Sequence, residues 1–104
     1  MLLGFLERMA LLTVLPREGN IVTLKIVRQL REDLAPSEVE AVEYGIDFDE
    51  KGVSWKTEPP EKEIDTGEKA TDIIVKALKD ADARGKLTES HISVYEKFIE
   101  GVKV

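Results

Sequence analysis

Acidic residues at regular spacing are the first candidates for chemistry in this chain. Asp47, Asp49 and Glu58 stand at the first, third and last ligand positions of a calcium loop, with Gly52 at the sixth. Carboxylates at that spacing can wrap a hard cation when the backbone between them curls and two helices flank it. Here Lys51 puts a cation where a ligand oxygen belongs, the flanks alternate like strands, and Pro59-Pro60 blocks an exiting helix. These residues are therefore read as turn chemistry, with no metal and no other cofactor. An acid pair for catalysis drawn from Asp47, Asp49 or Glu50 meets a similar objection, because charge on a turn is ordinarily solvated.

His91 is the only histidine. A general base needs a nucleophile or water in reach and a partner to orient it. Glu89, Ser90 and Glu96 are near His91 only in sequence, so a surface position in a first helical turn is expected. The run Thr66–Thr71 contains Thr-Gly-Glu-Lys, but no glycine-rich turn precedes Lys69, and it reads as a helix start and not a phosphate loop. There is no cysteine, which excludes a disulfide framework, a thiol nucleophile and a thiolate zinc site. No catalytic residue is assigned, and the chain is read as a non-enzyme.

The acid is unevenly spread. Of the net −6, residues 1–36 carry 5 cations and 4 acids (+1), residues 37–72 carry 4 and 12 (−8), and residues 73–104 carry 6 and 5 (+1). Displacing counterions from a nucleic acid needs a basic footprint, so generic nucleic-acid binding is disfavoured. A protein-binding face is expected instead at Glu38, Glu40, Glu43, Asp47, Asp49, Glu50 and Glu58. It would dock on a basic protein surface or imitate phosphates to inhibit a nucleic-acid-binding enzyme.

The elements that must position these residues are mostly helical. Leu2, Phe5, Leu6, Met9 and Leu12 recur at helical spacing over residues 2–15, with Leu3, Ala10, Leu11 and Val14 widening the stripe. That width suggests a central core helix, or one that also packs on a second copy of the chain. Glu7, Arg8 and Pro16 keep the run from being a transmembrane span, and no basic residue precedes it as in a secretory signal. A cytoplasmic protein is expected.

Asn20 caps a second helix, about Ile21 to Leu34, whose apolar face holds Val22, Ile26, Leu30 and Leu34. Ser37 and Glu40 form a capping box for a short third helix. Period-2 alternation over Tyr44–Thr57 predicts a hairpin turning at Asp49–Gly52, with Ile46, Phe48, Val53 and Trp55 on one face against the helices. Thr57–Glu63 reads as a stiff polar linker, and Ile64 starts or adds to a short strand. Asp65 and Glu68 would cap an amphipathic helix carrying Ala70, Ile73, Ile74, Ala77, Leu78 and Ala81, closed by Gly85. A last helix from Thr88 would bury Ile92, Tyr95, Phe98, Ile99 and Val102, with Leu87 and Ile92 as a staple.

The fold class is α+β, mostly α, with about five helices and one β-hairpin packed on a helical core. One domain spans 1–104: helices over 1–43, hairpin over 44–57, linker over 58–65 and a helical hairpin over 66–102. Helix, helix, short helix, hairpin is also the order of a winged-helix DNA binder. Its reading helix would carry Glu38, Glu40 and Glu43 and no cation, which repels duplex phosphate.

The segments LLTVLPREGNIVTLKIVRQLRE and IDTGEKATDIIVKAL…KLTESHISVYEKFIE resemble small uncharacterised proteins encoded by bacteriophages and prophages. The resemblance spans most of the chain and is weakest in the acidic middle. It implies a phage-type accessory or assembly protein acting through protein–protein contacts in the host cytoplasm or on the virion. It transfers no catalytic residues.

Overall fold

The computed structural model describes residues 1–100, and Val102 lies outside them. The elements run β1 (Leu2–Leu3), α1 (Phe5–Val14), α2 (Ile21–Leu34), α3 (Glu38–Tyr44), β2 (Asp47–Asp49), β3 (Gly52–Ser54), β4 (Lys62–Glu63) and α4 (Gly67–Ala83). A 3-10 turn over Glu89–His91 then leads into α5 (Ile92–Tyr95), which widens into a π turn over Glu96–Glu100. The fold is mostly helical α+β, with two separate two-stranded antiparallel sheets, β1–β4 and β2–β3.

The first helix starts later than its apolar periodicity suggests. Leu2 and Leu3 are strand, paired with Glu63 and Lys62. Gly4 ends the strand in extended conformation, and its N–H donates to the Glu7 carboxylate at 2.8 Å, so Glu7 caps the helix that follows. The Ile64 N–H donates to the Met1 carbonyl at 2.9 Å, and the Met1 ammonium donates back to the Ile64 carbonyl at 3.1 Å. Part of the expected linker is thereby an edge strand. Its end buries Ile64 in the core.

The buried stripe of α1 is also rotated from the expected one. Phe5, Arg8, Ala10 and Leu11 are buried, whereas Leu6 is exposed and Met9 and Leu12 are half-buried. Hydropathy passes over Arg8, yet Arg8 lies at the centre of the inward face, three residues from both Phe5 and Leu11.

In α2, Asn20 accepts from the Thr23 N–H at 2.8 Å, as its position predicts. Val27, Leu30 and Leu34 are buried, while Ile21 and Val22 in its first turn are exposed. Ala70, Ile74 and Leu78 bury the inner face of α4. The residue preceding α4 is Thr66, not Asp65, and no side chain caps the helix. Gly85 adopts φ 65°, and the Lys86 N–H returns to the Ala81 carbonyl at 2.9 Å, the C-terminal closure the glycine foreshadows.

Leu3, Leu11 and Leu15 meet Val27, Leu30, Leu34, Ile64, Ile74, Leu78, Val94 and Phe98 in one core. At the C-terminal end Val94 and Phe98 face inward, and Ile92 is exposed and not part of the core face. No helix among the described residues is long and apolar enough to cross a membrane.

Candidate functional site

The third helix has two faces with opposite fates, and the division begins at Arg8. This side chain is fully buried, and burying a guanidinium demands partners for its donors. Its Nη1 and Nη2 donate to Glu40 Oε2 and Oε1 at 2.9 and 3.1 Å, a bidentate pair. Its Nε donates to the Leu34 carbonyl at 3.0 Å and Nη2 to the Ala35 carbonyl at 3.3 Å. These are carbonyls left open at the end of α2, where a cation also complements the helix dipole. The guanidinium carbon stands 5.9 Å from the centre of the Phe5 ring. One residue of α1 thus clamps α2 to α3.

Glu40 meets this clamp while closing its own helix. Ser37 Oγ accepts from the Glu40 N–H at 3.1 Å, and Glu40 Oε1 accepts from the Ser37 N–H at 3.2 Å, the predicted capping box. The Arg8 hydrogen bonds hold the Glu40 carboxyl below its ordinary pKa, against the opposing effect of burial, with further help from the Ser37 N–H. Glu40, at 18% side-chain exposure, is therefore engaged within the molecule.

The other face of α3 is open. Val39 and Val42 are 73% and 85% exposed, and no residue of α3 is buried. Glu38 and Glu43 beside them are exposed. Gly45 ends the helix at φ 64°, and a Cβ there would stand 2.8 Å from Lys56 Cγ, so both backbone and space call for glycine. The Lys56 and Thr57 N–H groups donate to the Tyr44 carbonyl at 3.0 and 3.2 Å, tying the base of the hairpin to α3.

The hairpin pairs Asp47 with Ser54, Phe48 with Val53 and Asp49 with Gly52. Asp49 Oδ1 accepts from the Lys51 N–H at 2.8 Å, and this short turn closes the loop. Alternation held, but only the base of the apolar stripe reaches the helices. Ile46 is buried, and Trp55 meets Phe5 edge-on at 5.2 Å between ring centres. Phe48, expected against the helices, is instead 58% exposed, because the ribbon extends past its footing.

Asp47, Asp49, Glu50 and Glu58 are exposed, and Pro59 is buried. Among the described residues no group of three or more histidine or acidic side chains could hold a metal ion. Asp47 faces Ser54 across the ribbon and Asp49 is turned onto the Lys51 amide, so they do not converge as a calcium loop would require. Glu38, Glu43, Asp47, Asp49 and Glu50 all stay exposed, on α3 and on the hairpin that follows it, whereas Glu40 is turned inward onto Arg8.

Two polar centres escaped sequence reasoning. The first is Arg8 itself, whose signal was its position on the inward face of α1. The second is His91, expected at the surface but only 5% exposed. Its Nδ1 accepts from the Thr88 N–H at 2.9 Å. That acceptance leaves the proton on Nε2, which donates to Thr13 Oγ1 at 2.7 Å, and the Thr13 hydroxyl donates in turn to the Ala10 carbonyl at 2.7 Å. Spacing could have revealed this, since His91 stands three residues after Thr88, where a glutamate stands in a capping box. With both nitrogens committed, His91 locks the last helical segment to α1. Ser93 Oγ and Lys97 Nζ, the latter at 2.7 Å, donate to Glu7 and make a second tie to α1. Burial raises the Glu7 pKa, but these bonds and the Gly4 N–H outweigh it, and the net shift is downward.

No protein-family model, no curated protein and no solved structure matches the chain.

Proposed function

We propose that this chain is a non-enzymatic accessory protein of the phage type, acting by docking the outer face of α3 and the hairpin on a partner protein. One observation supports the reading: Val39, Val42 and Phe48 stay exposed on the same two elements as the exposed carboxylates Glu38, Glu43, Asp47, Asp49 and Glu50. Exposed apolar side chains on elements that carry one sign of charge suit an interface with an apolar centre and an opposite rim on the partner. The partner is a protein with a shallow apolar recess bordered by lysine or arginine. A second copy of the chain bound through α1 is less supported, since α1 spends most of its apolar surface inside the core.

A second reading has its own support. Asp47 and Asp49 share one face of the ribbon, about 7 Å apart along the strand, and Glu50 follows at the turn. That row suits imitation of nucleic-acid phosphates on a host enzyme. The test is affinity capture from host lysate with the native chain, a Val42→Ser/Phe48→Ser variant and an Asp47→Lys/Asp49→Lys variant. An accessory docking protein loses its partner on the apolar change as well as on charge reversal. A phosphate mimic loses it on charge reversal alone and is displaced by duplex DNA. A partner retained by both variants removes both readings.

A further inference from the structure

On the side of the molecule built from the first and last thirds of the chain, an open cleft of about 1040 Å³ lies between the C-terminal end of α1, the 16–20 turn, α4 and the 84–91 segment. Its lining reverses the charge of the protein. Arg17, Lys76, Arg84 and Lys86 line it against Glu18 and Asp80, four cations to two acids, a local +2 on a chain of net −6. No residue of the acidic stretch 37–72 contributes. Among the described residues, none of these four cations makes an ion pair, in contrast to Arg8, Lys62 and Lys97. The cleft also has an apolar floor, from Val14, Ile73, Ala77 and Ala81.

The floor has a reason to exist. Ile73, Ala77 and Ala81 are the half-buried flank of the α4 stripe, left over when Ala70, Ile74 and Leu78 take the core, and Val14 adds the end of α1. The small alanines at 77 and 81 keep it recessed. Lys76 and Asp80 of α4 and Arg84 just past its end follow one another at i,i+4 along its edge, so an acid stands between two cations. Lys86 and Arg17 line it from the two loops. The first turn of α2 opens here too, its positive end set against the negative C-terminal ends of α1 and α4, so the side-chain cations supply the positive charge of the cleft.

We infer that this cleft binds a small organic phosphate, of about mononucleotide size, its anionic group on Arg84, Lys86, Lys76 and Arg17 and its body on the Val14–Ile73–Ala77–Ala81 floor. Phosphate recognition needs several donors of one sign converging from separate elements, and an apolar floor distinguishes an organic phosphate from the bare ion. The site is independent of the acidic docking face, since the two share no residue.

The test is an NMR titration of the full chain with AMP, ADP and inorganic phosphate at low salt. Saturable shifts of amides in 13–23 and 84–91 are expected with the nucleotides, weakening as salt is raised. Arg84→Glu/Lys86→Glu should weaken AMP binding at least about tenfold, the equivalent of one charge-assisted hydrogen bond. Asp80→Asn should tighten it, because it removes the acid between two cations. Lys69→Glu, outside the cleft, should leave it unchanged. Absence of saturable shifts, inorganic phosphate binding as tightly as AMP, or weaker binding in Asp80→Asn would each overturn the assignment. Unchanged amide spectra outside the cleft show that the variants are folded.

Discussion

Glu40 and Glu43 lie one turn apart on the same short helix, yet one is structure and the other is surface. Glu40 meets a buried arginine and serves as cap and clamp together. Glu43 meets water beside an exposed valine. The same contrast separates the base of the hairpin, where Ile46 and Trp55 are held, from its tip, where Phe48 and Asp49 project. What differs is not residue type but distance from α1. On α3 and the hairpin, the acid that reaches Arg8 is engaged in the fold, and the acids beyond its reach stay exposed.

Removing the arginine should break the contrast most severely. Arg8→Ala leaves Glu40 half-buried with only the exposed Lys62, at 3.8 Å, for a cation and reopens the Leu34 and Ala35 carbonyls, at a cost of about 3 kcal/mol. Urea unfolding followed by Trp55 fluorescence reads this directly. Replacing both partners, Arg8→Met with Glu40→Met, should cost less than Arg8→Ala alone, because no unpaired charge is then left behind. A double variant as damaged as the sum of the singles would show that the two side chains do not work as a pair.

Acid should sharpen the same distinction more gently. Glu40 and Glu7 are both held below the ordinary value of 4.5 in the folded chain. Their contribution is therefore complete above that value and is lost as pH falls through the lower folded values. Urea midpoints at neutral pH and at about pH 3.5 should show a decline that Glu40→Gln partly flattens. An identical slope in Glu40→Gln would mean that Glu40 has no part in the acid response.

The outer face should give the smallest stability effect. Val42→Ser and Glu43→Lys, at exposed positions, should stay within about 0.5 kcal/mol of the native chain. A larger loss would assign that face to the fold and not to a partner.

Local signals in the chain were read correctly where the physics is local. Asn20, the Ser37–Glu40 box and Gly85 each act within a few residues, and the hairpin alternation needs only the pleat. The candidate acids were legible by position, but their roles were not. Glu40 could not be separated from Glu38 or Glu43 without knowing that Arg8, 32 residues away, is buried against it. The first helix was placed too early because Leu2 and Leu3 have helical spacing, and their strand partner stands some sixty residues on. His91 was assigned to the surface because its partner Thr13 lies 78 residues distant.

By itself, then, the sequence determined the helical character, the hairpin, most of the caps and the absence of cysteine chemistry, because turns and periodicities are settled by near neighbours. Only the tertiary structure decided which charges are buried, which end of the hairpin is anchored, and that the two less acidic thirds of the chain line one cationic cleft. Those are long-range facts. Burying a charge is too costly for the chain to tolerate without a partner, and only folding brings the partner within reach.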